Sequence, residues 1–475
     1  MPQSPRSSSL LFAAFLFSAT LALAVVFTGP FALAQEKAAQ ASLSPAELLE
    51  LIEANGGYAF AAAAADLDAA HARLDGARAN LFPRLTGTVM GKRLEAKKTI
   101  ETRDSEVESS LELVQPIYDF GQTYSRVRAA RSNIAAAGEK LRIARHTVLM
   151  EGLAVFFDLH VSELRMHSLN QDHASAYVHW ERANERFKLG QADPVTVSEE
   201  LARVEKTRLL YHRERSRNSS LRLRLEDLTG KPFSGELIDS PKPPAKKPTE
   251  VDTEKLFAFA ETRNPEIKAL ARRAEALSFQ RDGTGNRPRI EAFGTVGQST
   301  REHRSREDWA VGARMTVPFF DGGLKSAEHA RLDAEYRKVR AEHEIRRRDL
   351  RRQLREAVLL RNDSWQQVIA ARAALDFLGR RLAKRQRLYE QERVADLGRA
   401  MIEFSGGESD VVRAAGTYYL ASARLAVLLG ENPSGGLAEN FLERLLGEKI
   451  GTKDEQLSPK EGTGFGQDDL PKIER

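Results

Sequence analysis

The chain has 475 residues and no cysteine, and its 72 basic and 67 acidic residues leave a net charge of +5. The lack of cysteine excludes disulfide bonds, thiol chemistry and a lipid attached to an N-terminal cysteine of the mature chain. Only 7% of the residues are aromatic while 29% are charged, which favours an elongated helical architecture over compact globular domains. Because acidic and basic residues are interleaved, without a basic arm that carries aromatic residues, we expect no nucleic-acid partner.

The first 34 residues have the pattern of a cleaved secretory signal. Arg6 supplies a positive charge, residues 10–27 are uncharged and apolar except for Ser18 and Thr20, and Ala32-Leu33-Ala34 is a small-residue cleavage site. We therefore expect export across the inner membrane and cleavage after Ala34. The alternative is a retained membrane anchor, because the apolar stretch is longer than in most signals. A mature protein that begins at Gln35 would exclude the anchor.

One sequence pattern occurs twice. Residues 114–121 read VQPIYDFG and residues 316–323 read TVPFFDGG, and the spacing of the shared proline is 202 residues (318 − 116). A duplication of this length indicates two copies of one structural unit. The predicted organisation is a signal peptide (1–34), a first repeat (42–232), a linker (233–252), a second repeat (253–446) and a disordered C-terminal tail (447–475).

A very long helix is predicted after each copy of the pattern. The first extends from Gln122 to about Lys188, which is about 100 Å at 1.5 Å per residue. A shorter helix is predicted to begin with Ser44 as its N-cap and Pro45 as its first residue. A heptad pattern in the long helix predicts a coiled-coil-like packing surface. Its residues are Val127, Ile134, Leu141, Val148 and Val155, with Ala130, Ala137 and Ala144 three positions further on.

Each long helix is predicted to turn back in a helical hairpin. At the first tip, Gly190 suits a left-handed C-cap, Asp193 the next N-cap, and Pro194 the first position of a returning helix that ends near Leu228. The second long helix covers about residues 324–392 and turns at residues 395–398. This second tip keeps an aspartate but lacks the glycine and proline of the first.

Four segments alternate like strands: residues 85–95, 107–117, 290–300 and 309–319, with polar loops predicted at 97–106 and 301–308. In the last segment one face is apolar and the other is polar. The apolar face holds Trp309, Val311, Ala313, Met315, Val317 and Phe319, and the other face holds Ala310, Gly312, Arg314 and Thr316. Such alternation, with aromatic residues at the ends, is typical of a transmembrane β-barrel strand. The alternative is an amphipathic hairpin in a soluble sheet, but two copies in an exported chain favour the membrane.

Four strands cannot close a barrel, and an open sheet edge in lipid leaves backbone N–H and C=O groups without partners. About eight strands make the smallest closed barrel. The strand count therefore excludes a monomeric barrel, and three copies of the chain would supply twelve strands.

These features resemble the TolC-type outer-membrane efflux proteins over residues 42–446. The resemblance is carried by the tandem repeats, the strand end QPIYDFG at 115–121, the hairpin tip GQADPV at 190–195 and the helix end LTG at 228–230. It implies a mainly α fold in which long hairpins form a periplasmic α-barrel beneath a trimeric, twelve-stranded outer-membrane β-barrel. It also implies an exit duct for efflux or type I secretion that docks to a periplasmic adaptor and an inner-membrane transporter.

In this family, carboxylates near the second hairpin tip constrict the tunnel entrance. The nearest carboxylates here are those of Asp396 and Glu403. Together with Arg399 they are the candidate entrance residues, and we call these three residues the entrance cluster. Arg399 stands where the family pattern has an acid, so the sequence leaves open whether the entrance is acidic or basic.

No arrangement of residues indicates an enzyme, a cofactor or a metal site. Five histidines share the first long helix, but their spacings do not fit a helical zinc site: His146, His160, His167, His173 and His179. The arginine-rich run at residues 346–352 is interpreted as a solvated helix face or tunnel lining rather than an anion site. A periplasmic coiled-coil adaptor and a cationic cell-wall or nucleoid protein remain as alternatives. The adaptor leaves the alternating strands unexplained, and the cationic protein leaves the duplication unexplained.

Overall fold

A computed structural model describes residues 44–55, 57–96, 102–231, 242–301, 304–391, 396–438 and 441–442. In order, the elements are α1 (Pro45–Asn55), α2 (Gly57–Ala79), β1 (Arg84–Ala96), β2 (Thr102–Tyr118), α3 (Gln122–Lys188), α4 (Pro194–Thr229), α5 (Thr253–Arg263), α6 (Pro265–Asp282), β3 (Arg289–Arg301), β4 (Arg304–Thr316), α7 (Leu324–Glu390) and α8 (Leu397–Leu428). The predicted signal peptide, residues 233–241 of the predicted linker and the predicted tail lie outside the described residues. None of the described helices combines the length and apolarity needed to cross a membrane.

The two halves of the chain supply the same elements in the same order: two short helices, two strands and two long helices. The helices that follow the duplicated pattern, α3 and α7, each contain 67 residues. The predicted fold class is therefore confirmed: the chain is mainly α, built from tandem long helical hairpins, with four strands.

The four strands form one antiparallel sheet in the order β1-β2-β3-β4. Each repeat contributes one hairpin, and the pairing of β2 with β3 joins the repeats, with Leu111 opposite Val296 and Leu113 opposite Gly294. The sheet and the long helices meet at the duplicated pattern, because β2 ends at Tyr118 and α3 begins at Gln122.

The strand limits correct the sequence analysis at both ends. β2 begins at Thr102 and β4 at Arg304, so the loops predicted at 97–106 and 301–308 were too long. Backbone pairing continues through polar residues because ladder hydrogen bonds do not require apolar side chains. At the other end β4 stops at Thr316, so Val317 and Phe319 lie beyond the strand. Pro318 has no N–H to donate and cannot extend the ladder.

The duplicated Asp-x-Gly motif caps both long helices. The Asp119 carboxylate accepts hydrogen bonds from the backbone N–H of Gly121 (3.1 Å) and of Thr123 (2.6 Å). Asp321 does the same for Gly323 and Lys325, both at 3.0 Å. The final glycine of each motif has a φ of 86°, a left-handed conformation that glycine adopts without strain. The duplicated pattern is thus the junction that starts a helix directly after a strand.

We expect the Asp119→Ala variant to lose about 1–2 kcal/mol of unfolding free energy, the usual effect of removing a helix cap. Burial would raise the pKa of the Asp119 carboxyl, but hydrogen bonds from Thr123 and Gly121 hold it below its ordinary value of 3.8. The stabilisation should therefore be complete above that value and lost as the pH falls through the lower folded pKa. Denaturation in detergent, followed by circular dichroism at neutral and strongly acid pH, measures this. The capping role would be contradicted if both Asp119→Ala and the matched Asp321→Ala kept the parent's unfolding free energy at neutral pH.

Two apolar clusters lie where the short helices pack on the long ones. The first includes Leu48, Ile52, Leu149, Leu153 and Phe156, and the second includes Leu256, Leu350, Leu354, Leu425 and Leu429. The end of α8 joins them, because Ala423 belongs to the first cluster and Leu425 to the second. Each repeat therefore has its own core, and α8 connects the two.

Glycines let α8 approach α3 and α7 closely. A Cβ at Gly416 would lie 3.0 Å from the Cβ of Phe157 in α3, and one at Gly407 would lie 2.8 Å from Cδ1 of Leu378 in α7. Both distances are shorter than ordinary packing contacts. Gly407 and Gly416 are thus part of the helix–helix contacts of α8.

The arginine-rich run in α7 pairs with carboxylates of α5 and α6. The ion pairs are Arg346 with Glu266, Arg347 with Glu261, and both Arg351 and Arg355 with Glu254. Arg351 also lies over the ring of Phe257, 4.3 Å from its centroid. These arginines connect helices, so the interpretation of the run as a solvated face or tunnel lining was incomplete.

Candidate functional site: the sheet and the hairpin ends

One face of the sheet is apolar and exposed. On β4, the exposed fractions are 77% for Trp309, 80% for Val311 and 58% for Met315. The register places these residues beside apolar residues of the neighbouring strands. Exposed members of this set on the other strands are Leu85, Val89, Val107, Leu111, Leu113 and Val296. An apolar surface therefore extends across all four strands, and we call it the outer face.

The opposite face of the sheet is polar, and we call it the inner face. The guanidinium of Arg314 lies 3.3 Å from the carboxylate of Glu291 and 3.8 Å from that of Glu112. Arg289 also pairs with Glu291, at 3.5 Å. These side chains line an open hollow of about 260 Å³ near the strand ends that meet the long helices. The sheet thus presents apolar groups on one side and paired charges on the other.

The edge strands β1 and β4 each pair with one strand only among the described residues. Each therefore keeps one row of backbone N–H and C=O groups without a β partner within the described chain. Such edges are ready to pair with another chain.

The first hairpin tip is fixed by the three residues predicted from the sequence. Gly190 has a φ of 70° after the end of α3. Asp193 is the N-cap of α4, where its carboxylate accepts a hydrogen bond from the Val195 N–H at 3.1 Å, and Pro194 is the first helical residue. This end of the hairpin is locally well determined.

In the second hairpin, the entrance cluster is joined by a residue that the sequence analysis missed. Asp396 caps α8 by accepting a hydrogen bond from the Arg399 N–H at 3.1 Å. One oxygen of Glu403 pairs with Nε of Arg399 at 3.2 Å, and the other lies 2.6 Å from a guanidinium nitrogen of Arg381 on α7. Arg381 and Glu403 lie on opposite arms of the hairpin, and only the antiparallel pairing of α7 with α8 reveals the contact. We call Arg381, Arg399 and Glu403 the hairpin clamp.

The same end of α8 also rests on the first hairpin. The Ser168 hydroxyl of α3 donates a hydrogen bond to the backbone carbonyl of Ile402 at 3.2 Å. Further along α8, burial raises the pKa of the Glu408 carboxyl. The entrance cluster therefore lies on a helix held by α3 on one side and by α7 on the other.

Among the described residues, no group of three or more histidine, aspartate or glutamate side chains lies close enough together to hold a metal ion. His146 and His160 are buried, and burial together with Arg142 lowers the pKa of His146 to about 4. Nδ1 of His173 lies 3.3 Å from the hydroxyl of Thr207 on α4. These histidines take part in packing along α3.

This fold, a two-faced antiparallel sheet followed by long helical hairpins, occurs among solved outer-membrane channels. Among solved structures, the chain is similar to the CmeC outer membrane channel of Campylobacter jejuni, with a TM-score of 0.67 and 15% identity over 85% of this chain and 88% of that one. It is also similar to the open state of the MtrE outer membrane channel of Neisseria gonorrhoeae, with a TM-score of 0.62 and 16% identity over 83% of this chain and 90% of that one. A third similar structure is the outer membrane protein VceC of Vibrio cholerae, with a TM-score of 0.60 and 16% identity over 82% of this chain and 96% of that one. At these identities the likeness concerns the fold.

Residues 57–231 match the sequence model of the family described as outer membrane efflux protein. The resemblance to TolC-type outer-membrane efflux proteins that the sequence motifs indicated is therefore confirmed. A search of curated protein sequences found no significant match.

Proposed function

We propose that the protein is one subunit of a homotrimeric outer-membrane channel that conducts solutes from the periplasm to the cell exterior. The observation that carries this proposal is the sheet. Its outer face is apolar and exposed, its inner face holds paired charges, and both of its edges lack β partners within the described chain. A lipid-facing surface, a water-filled lumen and pairing to neighbouring subunits account for these three properties together.

The number of strands supports three subunits. One chain provides four strands, too few to enclose a lumen, whereas three chains provide twelve, an even number within the size range of outer-membrane barrels. In such a ring β4 of one copy pairs with β1 of the next, and the backbone groups at both edges find partners. The proposed trimer would thus satisfy every sheet edge in the bilayer.

The long helices indicate how the channel would continue into the periplasm. α3 and α7 each start within a few residues of a strand end, so three copies of the two hairpins would extend the lumen as an α-barrel. The hairpin ends would then form the periplasmic entrance. There we propose contact with a periplasmic adaptor and an inner-membrane transporter, as part of a tripartite efflux or type I secretion system, with no catalytic step or cofactor in this chain.

Membrane fractionation and native mass analysis test the proposal. We expect recovery from the outer membrane only with detergent, and a native mass of three mature chains, each beginning at Gln35. A stable monomer that resides in the outer membrane would contradict the barrel argument, because its sheet edges would face lipid. Recovery in the soluble periplasmic fraction would favour the adaptor instead.

A further inference from the structure

The basic residues of α7 fall into two groups with different surroundings. In the middle of the helix, Arg346, Arg347, Arg351 and Arg355 each pair with a carboxylate of α5 or α6. These ion pairs neutralise the helix where it crosses the short helices. Most of the arginine charge in the middle of α7 is therefore balanced, although Arg348 has no ion pair among the described residues.

The end of α7 at the second hairpin tip differs. Lys384 and Arg387 are exposed, Arg385 is half-buried, and none of the three has an ion pair among the described residues. Among the carboxylates of this region, Asp396 caps α8 and Glu403 is held in the hairpin clamp, whereas Glu390 is exposed at the end of α7. Basic side chains therefore outnumber carboxylates at this end of α7.

The two hairpin tips have opposite charge. Residues 380–403 around the second tip contain seven basic and four acidic side chains, a net charge of +3. The corresponding residues 177–200 around the first tip contain three basic and five acidic side chains, a net charge of −2. The two repeats therefore share the hairpin but not its charge. The positively charged tip belongs to the second repeat, which also carries the entrance cluster.

We infer that the second hairpin tip makes the channel entrance selective for anions, so that the preferred cargo carries carboxylate, phosphate or sulfonate groups. This inference rests on the proposed function, since it takes the hairpin ends to be the entrance. In a trimer three copies of Lys384, Arg385 and Arg387 surround the opening. Charges of one sign around a narrow, low-dielectric opening raise the local concentration of counter-ions about tenfold or more at low salt. Charges within about one Debye length of a permeating ion, about 10 Å at 0.1 M, act on it with little screening.

The test measures ion selectivity of the purified trimer in planar bilayers under a KCl gradient. The parent should prefer chloride over potassium, and inorganic tripolyphosphate should reduce its current. In the Arg387→Glu variant we expect the chloride preference to fall several-fold and the tripolyphosphate block to weaken. If this variant does not assemble, Lys384→Glu tests the same surface.

The matched control is Arg348→Glu. Arg348 lies on the same helix, is exposed and has no ion pair among the described residues, but it is about 60 Å from Arg387 at 1.5 Å per residue. Its selectivity should equal that of the parent. A conducting parent that prefers potassium, or equal shifts in Arg387→Glu and Arg348→Glu, would overturn the anion-selective tip while leaving the channel function standing. Absence of any conductance from intact trimers would instead refute the proposed function.

Discussion

Replacing Val311 with arginine should destabilise the membrane-inserted channel by roughly 2–4 kcal/mol, the penalty for arginine on the lipid face of a barrel near mid-bilayer. Val311 is 80% exposed in one chain, on the apolar outer face of β4. In the proposed trimer that exposed side contacts lipid, where the guanidinium has no water. Folding into detergent micelles or vesicles, followed by the heat-modifiable migration of the trimer, measures the loss. Met315→Arg on the same face should behave alike.

The residue before Val311 offers a control for this effect. Ala310→Arg introduces the same side chain on the same strand, but on the inner face, where the lumen would hydrate it. We expect the Ala310→Arg variant to assemble like the parent and to change only conductance. Arg314→Gln should have the same effect, because it removes the ion pairs of Arg314 with Glu291 and Glu112. Equal destabilisation at 310 and 311 would show that the two faces are not distinguished by lipid, and the membrane assignment of the sheet would fail.

Removing the hairpin clamp should open the channel at its periplasmic end. The Arg399→Ala/Glu403→Ala variant removes both of the Glu403 ion pairs, including the one that ties α8 to Arg381 on α7. These side chains are partly exposed, so each pair is expected to stabilise this end of the second hairpin by at most about 1 kcal/mol, which corresponds to a several-fold shift in population. Single-channel conductance in planar bilayers should therefore rise, while the yield of trimers stays unchanged.

Two further variants locate the effect. Arg381→Ala should raise conductance in the same direction, because it breaks the link between the arms of the second hairpin. Asp193→Ala in the first tip should change conductance little, since it removes only a helix cap. If Asp193→Ala opened the pore and the double variant conducted like the parent, the moving part would be the first hairpin.

The hairpin clamp and the basic residues of the second tip lie at the same end of α7, but substitutions in them should change different properties of the channel. Arg387 has no ion pair within the described residues, so its reversal to glutamate should change selectivity with little effect on the resting conductance. Arg381 is held by Glu403, so its loss should act mainly on opening. Measuring both quantities in both variants would separate charge at the entrance from mechanical closure.

Local signals in the sequence determined the elements of this protein. The helix starting at Pro194 follows from an aspartate N-cap and a proline at the first position, and the end of α3 follows from Gly190. The alternation from Trp309 to Met315 identified a strand with one apolar face. The duplicated proline and Asp-x-Gly pattern revealed two equivalent units. Such signals act over a few residues and depend on backbone conformation, hydrogen bonding and side-chain period, which the sequence displays directly.

Contacts between distant residues were decided by the tertiary structure alone. The pairing of β2 with β3, the ion pair of Arg381 with Glu403 and the pairing of the α7 arginines with α5 and α6 each depend on how elements meet in space. Charged residues with the same local sequence can face water or a partner helix, so periodicity does not distinguish them. The extent of β4 was decided likewise, because its pairing with β3 begins among polar residues and stops before Pro318. The sequence therefore determined which elements exist and which faces are apolar, whereas packing determined which charges are neutralised and which remain free.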